Sequence, residues 1–327
     1  MNYLFPVAFA WNTFAMTALM VILGISGQSH LAADVGIIQG AAVALFLSFS
    51  ANSRSIILNP STQISIESIV WTRLTLLLPL ALAAYVLCLI SSDASAYLAI
   101  ALIVRRCAEW ISEIHLSEME LLQDGLFARY FIYIQVFTFA GAVFCLLYPS
   151  SVTTIGLFIW ALAPILMSLG FIREKLKKIS LVTFSWRLMY PQFGSTMIIG
   201  VSLYFFRLII ILVAGKGYAG DLFTAFALGG VVGSAFAQIL GPSVVLYESQ
   251  KKKTYFTLWT EIVLAGFCLG GVILFCAAYT ELGILISLGK SADFWLALGA
   301  SMVGGVVMVY AQHFRFKILQ THDEANL

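Results

Sequence analysis

Apolar residues run along this chain in long unbroken blocks, and polar residues gather in the short stretches between them. A helix needs about 20 consecutive apolar residues to cross a bilayer core. On that pattern ten spans are predicted: 4–26, 32–51, 72–91, 95–118, 130–148, 153–172, 190–214, 220–246, 256–279 and 293–314. The blocks lack the apolar–polar alternation of a membrane β-barrel, so helices are expected. Pro6, Pro149 and Pro191 fall near span edges, where proline costs little. Pro79, Pro164 and Pro242 fall inside spans, which membrane helices accommodate through neighbouring helices. The first block has neither a basic n-region nor a small-residue cleavage site, so it is expected to stay as a helix.

Composition excludes a soluble domain. Hydrophobic residues make up 61% of the 327 and charged residues 10%, with mean hydropathy +0.96; soluble domains run at about 45–50% and about 25%. A net charge of +2 is too small to draw nucleic acid. Cys88, Cys107, Cys145, Cys268 and Cys276 sit in apolar runs with no CxxC, and read as small buried hydrophobes. The histidines, His30, His115, His313 and His322, show no metal-ligand spacing, so neither metal nor cofactor is expected. Residues 283–291 imitate a P-loop, but with five residues between the glycines instead of four and no preceding strand. No acid/base constellation points to an enzyme.

Lysine and arginine set the expected orientation. With ten spans, Arg54, Arg73, Arg129, Arg173, Lys175, Lys177, Lys178, Arg187, Lys251, Lys252, Lys253, Arg315 and Lys317 share one side. Only Lys216 and Lys290 fall on the other. Both termini are then cytoplasmic, and the basic loops also suit anionic lipid. A repeat is visible near a spacing of 187 residues: Ala33-Asp34 follows a turn with Gly27, and Gly220-Asp221 follows a turn with Gly215 and Gly217. Internal symmetry of this kind marks many transporters. Small residues four apart, Gly36/Gly40, Gly229/Gly233 and Gly266/Gly270, are expected to let helices approach closely.

The charged residues inside spans carry the candidate chemistry. Arg105 and Arg106 lie about ten residues from the outer end of the fourth span, roughly 15 Å deep. An arginine there costs roughly 2.5–3.5 kcal/mol on insertion scales, and two adjacent ones must face protein, water or an anion. Glu109 is placed to neutralise either one, and Glu113 continues that face. Two readings stand: a self-neutralised packing cluster, or the wall of a cavity for an anionic substrate. Arginine suits phosphate, because its planar fork donates two bonds at once. Arg207 and Arg54 are further cavity candidates, each with an interfacial alternative. Glu109, Glu113 and Glu261 are the ion-coupling candidates. Asn12, Gln39, Gln135, Gln192 and Gln238 read as interhelical glue.

Three stretches resemble the polysaccharide flippases, the O-antigen-type translocase branch of the multidrug/oligosaccharidyl-lipid/polysaccharide exporter superfamily. Residues 187–246 resemble that family's seventh and eighth helices: a short outer turn, then a Gly/Ala-rich helix ending in proline. Residues 96–129, with Leu122-Gln123, resemble its fourth helix and inner loop. Residues 8–58 resemble its opening pair, with Arg54 near a frequent basic position. The resemblance implies an all-α polytopic membrane protein with a two-lobe exporter-like fold. The lobes would be residues 1–180 (six helices) and 181–327 (four, where the family's twelve or fourteen helices leave this lobe incomplete). It implies flipping of polyprenyl-diphosphate-linked oligosaccharide across the bacterial cytoplasmic membrane, for surface polysaccharide synthesis. Arg105, Arg106 and Arg207 would meet the diphosphate. Membrane lipids and glycosyltransferases or a polymerase of the pathway are the implied partners. The alternatives are a cation-coupled exporter of small molecules on the same fold, and a non-transporting scaffold for glycan assembly.

Overall fold

A computed structural model describes residues 4–50, 53–58, 65–149, 152–177, 190–236, 258–280 and 289–325. The helices are α1 (Leu4–Ile25), α2 (Ser29–Ser48), α3 (Ser53–Leu58), α4 (Ile66–Ser91), α5 (Ala96–Leu121), α6 (Gly125–Leu147), α7 (Thr153–Lys177), α8 (Tyr190–Ala214), α9 (Lys216–Ala235), α10 (Leu258–Tyr279) and α11 (Ala292–Ala325). No strand occurs among the described residues. Among the described residues eight helices are long and apolar enough to cross a membrane, and the chain is an all-α polytopic membrane protein. α5 is too charged to qualify by composition. Its 26 residues are nonetheless about 39 Å long, and short turns join it to the spans α4 and α6, so it crosses with them.

Where helices begin and end follows local chemistry. Ser65 caps α4, its Oγ accepting from the Ser68 amide. Asp124 caps α6, accepting from the amides of Leu126 and Phe127 at 3.1 Å each; a cap of this kind contributes about 1 kcal/mol. The two caps start α4 and α6 ahead of the apolar blocks at 72 and 130. Gly27, Gly215 and Gly289 have φ of 81°, 78° and 75°, left-handed values that only glycine adopts freely. The first two close the α1–α2 and α8–α9 turns, so both hairpins of the sequence repeat turn in the same way. Asp34 and Asp221 each hold a lysine, Lys216 at 3.0 Å and Lys290 at 2.7 Å.

Two compact units separate, Met1–Ala219 and Gly220–Leu327. The division falls after α8, whereas the lobe boundary expected from sequence, 180/181, falls before it. α8 stays with the first unit because it lies close against α2. A Cβ at Gly200 would sit 2.9 Å from Ala44 Cα, and one at Gly40 would sit 3.3 Å from Arg207 Cδ. In this unit α5 packs against α1, α2, α3, α4, α6 and α7, and α2 is the most enclosed of the eight spans. Apolar faces on α4 (Leu78, Leu82, Leu89), α6 (Tyr133, Phe137) and α8 (Ile209, Leu212) are exposed, as lipid-facing surface must be.

The second unit rests on glycine contacts. A Cβ at Gly299 would lie 2.6 Å from Gly271 O, and one at Gly229 would lie 1.8 Å from Ser301 Oγ and 2.7 Å from Leu298 O. Phe236, Leu264, Val306 and Val309 pack beside these crossings. Gly266 corrects an expectation: nothing lies within 4 Å of a Cβ there, while one at Gly270 would meet Met302 Cε at 3.6 Å and the closest α10–α11 approach falls on Gly271. The spacing of small residues marked the helix but not the face. Cys276 likewise is exposed, not buried, while Cys88 is buried. The basic residues Lys178, Arg187 and Lys251–Lys253, together with Gln238, Pro242 and most of the P-loop-like stretch, lie outside the described residues. Of Gln192, Arg315, Lys317 and His322 only the backbone is described.

Gly299→Ala is expected to lower the thermal midpoint of the detergent-purified protein, at a cost of about 1–3 kcal/mol from overpacking against immovable backbone. Gly266→Ala, facing open space, is expected to leave the midpoint unchanged.

Candidate functional site

α5 is the helix whose sequence conflicts most with a membrane, and its charges define the site. Its residues from Arg105 to Glu120 cover about 22 Å of helix. Along that length, carboxylates at 109, 113, 118 and 120 each meet a cation, and most of those cations come from other helices.

At the deepest level Arg105 is fully buried. It donates from Nε to Glu109 Oε1 at 2.7 Å, and from Nη1 to Gln135 Oε1 on α6 at 2.7 Å and Trp160 O on α7 at 3.0 Å. Its guanidinium lies 4.7 Å from the centre of the Trp160 ring, a favourable stack for a desolvated cation. Arg106 donates to the other oxygen, Glu109 Oε2, at 3.4 Å, and keeps 12% of its side chain exposed. One carboxylate thus serves two guanidiniums. Asn12 of α1 ties this level to the core: its Nδ2 donates to Glu109 O, and its Oδ1 accepts from Ser112.

One turn further in, Arg73 of α4 donates to Glu113 Oε2 at 2.9 Å, and to Trp110 O, Ser50 and Ser53 Oγ. Beyond it, Arg54 of α3 grips Glu120 with two bonds of 2.9 and 3.0 Å and stacks 4.0 Å over the Phe9 ring. Lys175 at the end of α7 bridges Glu118 and Glu67. His115 joins α5 to α7 by a 3.2 Å contact with Ser168 and a parallel stack on Phe171.

The candidates expected from sequence therefore divide. Arg105, Arg106 and Glu109 form one cluster, with Glu113 one turn away. Arg54 is held at the far end of the ladder, on a short helix that the apolar pattern did not reveal. Arg207 belongs to another contact: from α8 it donates to Gly36 O and Gln39 Oε1 on α2, and Gln39 donates to Thr17 on α1. Glu261 stands exposed in the first turn of α10, in the second unit. Arg73, Glu118 and Glu120 were the participants that sequence reasoning did not single out. Glu109, Glu113 and Glu120 fall on one helical face by spacing, which was the available signal. Gln135 makes the interhelical contact its type predicts, and nothing in the sequence sets Trp160 apart from its apolar neighbours. No group of three or more His, Cys, Asp and Glu that could hold a metal ion occurs among the described residues.

No family model matches this chain, and neither a curated protein nor a solved structure does.

Removing one member of the deepest pair strands the other in an apolar interior. Glu109→Gln is expected to destabilise the protein by about 3–5 kcal/mol, while the triple variant Arg105→Met/Arg106→Met/Glu109→Leu, which leaves no charge behind, loses clearly less. Fluorescence-detected size exclusion after a heat step compares the two directly.

Proposed function

We propose that this protein is a membrane transporter that flips polyprenyl-diphosphate-linked oligosaccharide across the bacterial cytoplasmic membrane, with both termini on the cytoplasmic side. The observation that supports this most is Arg106. It is the second of two guanidiniums that share a single carboxylate, and it retains some exposure. A guanidinium so placed costs free energy at membrane depth unless it serves an anion. A diphosphate offers oxygens of the right charge and geometry. In the mechanism, Arg106 meets the diphosphate while the prenyl chain stays in lipid, and Arg105 fixes the height and orientation of that part of α5. The resemblance to polysaccharide flippases supports the same substrate class, and glycosyltransferases or the polymerase of that pathway would supply and receive the glycan.

A second reading, a non-transporting scaffold for glycan assembly, is favoured by a different observation. Arg54, Arg73 and Arg105 are all committed to protein partners, as packing struts would be. Cation-coupled drug export gains less support, since Glu109 and Glu113 are both ion-paired.

The test is complementation in a host deleted for the gene, reading surface polysaccharide and lipid-linked intermediates trapped on the inner face. The wild type is expected to clear the intermediates. Arg106→Ala, expressed at the same level, is expected to leave them trapped, with export falling tenfold or more, as loss of one charge-assisted bond implies. Full rescue by Arg106→Ala would sink the flippase mechanism and leave the scaffold.

A further inference from the structure

Around Arg105 the hydrogen-bond inventory does not balance, and the imbalance has one sign. Arg105, Gln135 and Trp160 are each no more than 1% exposed. Yet Arg105 Nη2, Gln135 Nε2 and Trp160 Nε1 have no hydrogen-bond partner among the described residues. All three atoms are donors. The amide of Gln135 cannot be turned to repair this, because its oxygen already accepts from Arg105 Nη1, and a guanidinium has no acceptor to offer the nitrogen. The acceptors that meet the two guanidiniums are already engaged. Glu109 spends one oxygen on each arginine, and Trp160 O accepts from Arg105. The Trp160 indole and the Gln135 amide both border the same guanidinium, one beneath its face and the other on its edge.

Charge is unbalanced in the same direction. Arg105 and Arg106 face one carboxylate, and the next pair inward, Arg73 with Glu113, is neutral as a pair. The Lys175–Glu118–Glu67 group holds one excess carboxylate, but it lies twelve residues along α5 from Arg106, about 18 Å away. Buried donors without an acceptor are costly. A group that only accepts, carries one negative charge and is small would remove both deficits.

We infer that Arg105, Gln135 and Trp160 form a buried binding site for a monovalent anion of halide size, linking α5, α6 and α7. Water fits less well. It brings two protons that need acceptors, and the three groups present only donors. A diphosphate fits less well because Arg105 is wholly enclosed, so a bulky headgroup cannot reach Nη2 without parting the helices. The site is structural and does not rest on the transport reading: the donor imbalance at Arg105, Gln135 and Trp160 stands whether or not Arg106 meets a lipid.

The test is thermal denaturation of the full-length, detergent-purified protein at fixed ionic strength, with chloride or bromide replacing gluconate, and chloride-35 line broadening as a direct readout of binding. The midpoint is expected to rise with chloride or bromide and to saturate. Trp160→Phe, which removes one donor and keeps a ring, is expected to weaken the apparent Kd roughly tenfold or more. Gln135→Glu supplies the missing charge from the protein itself, so it is expected to abolish the chloride response while remaining folded. Pyrophosphate as a separate probe, which can reach Arg106 but not the enclosed Arg105, is expected to leave the size of the chloride response unchanged. A wild type indifferent to halide by both readouts, an equal response from wild type and both variants, or stabilisation by pyrophosphate alone would each overturn the inference.

Discussion

The structure depends on one constraint: charge on α5 has to be neutralised inside a membrane. An unpaired charge in hydrocarbon costs several kcal/mol, and α5 carries a succession of them. Each is met by a partner brought from elsewhere. α3 brings Arg54, α4 brings Arg73, and α7 brings Lys175, with Gln135 from α6 and Asn12 from α1 completing the polar contacts. Because these groups cannot be satisfied by lipid, they fix the register of five helices against α5 in a way that apolar packing alone does not. Buried ion pairs are not strong net stabilisers, and their value here is positional.

The other helix contacts use a different device. α2 and α8 approach through Gly40 and Gly200, and α10 and α11 through Gly271 and Gly299. Lipid tails are as apolar as leucine side chains, so close backbone approach replaces the hydrophobic drive available in water. The first unit therefore combines a polar ladder with glycine contacts, whereas glycine crossings dominate what is described of the second.

Much of this was legible in the sequence. Long apolar blocks set the helices, and Arg105, Arg106 and Glu109 stood out because charge inside such a block is costly. What sequence could not supply was the partner across space. The i to i+4 step from Arg105 to Glu109 is local and readable; the meeting of Arg73 with Glu113 depends on how α4 lies on α5. Helix starts differ from the starts of the apolar blocks for a related reason. Glu67 and Arg73 broke the apolar pattern of α4, yet both are tolerated because α5 and α7 present counter-charges. Gly266 shows the same limit on a smaller scale: spacing identifies small residues, but only packing decides which of them face a neighbour.

Adjacent arginines thus acquire different roles from their direction alone. Arg105 points into the bundle and is enclosed by protein; Arg106 points outward far enough to keep some exposure. The most direct measurement of that difference is thiol accessibility in intact membranes. In a background with the five native cysteines replaced, Arg105→Cys and Arg106→Cys are each treated with a charged methanethiosulfonate reagent. Labelling is expected at position 106 and not at 105. Equal labelling at both positions, or labelling at 105 alone, would contradict the arrangement on which the functional reading is built.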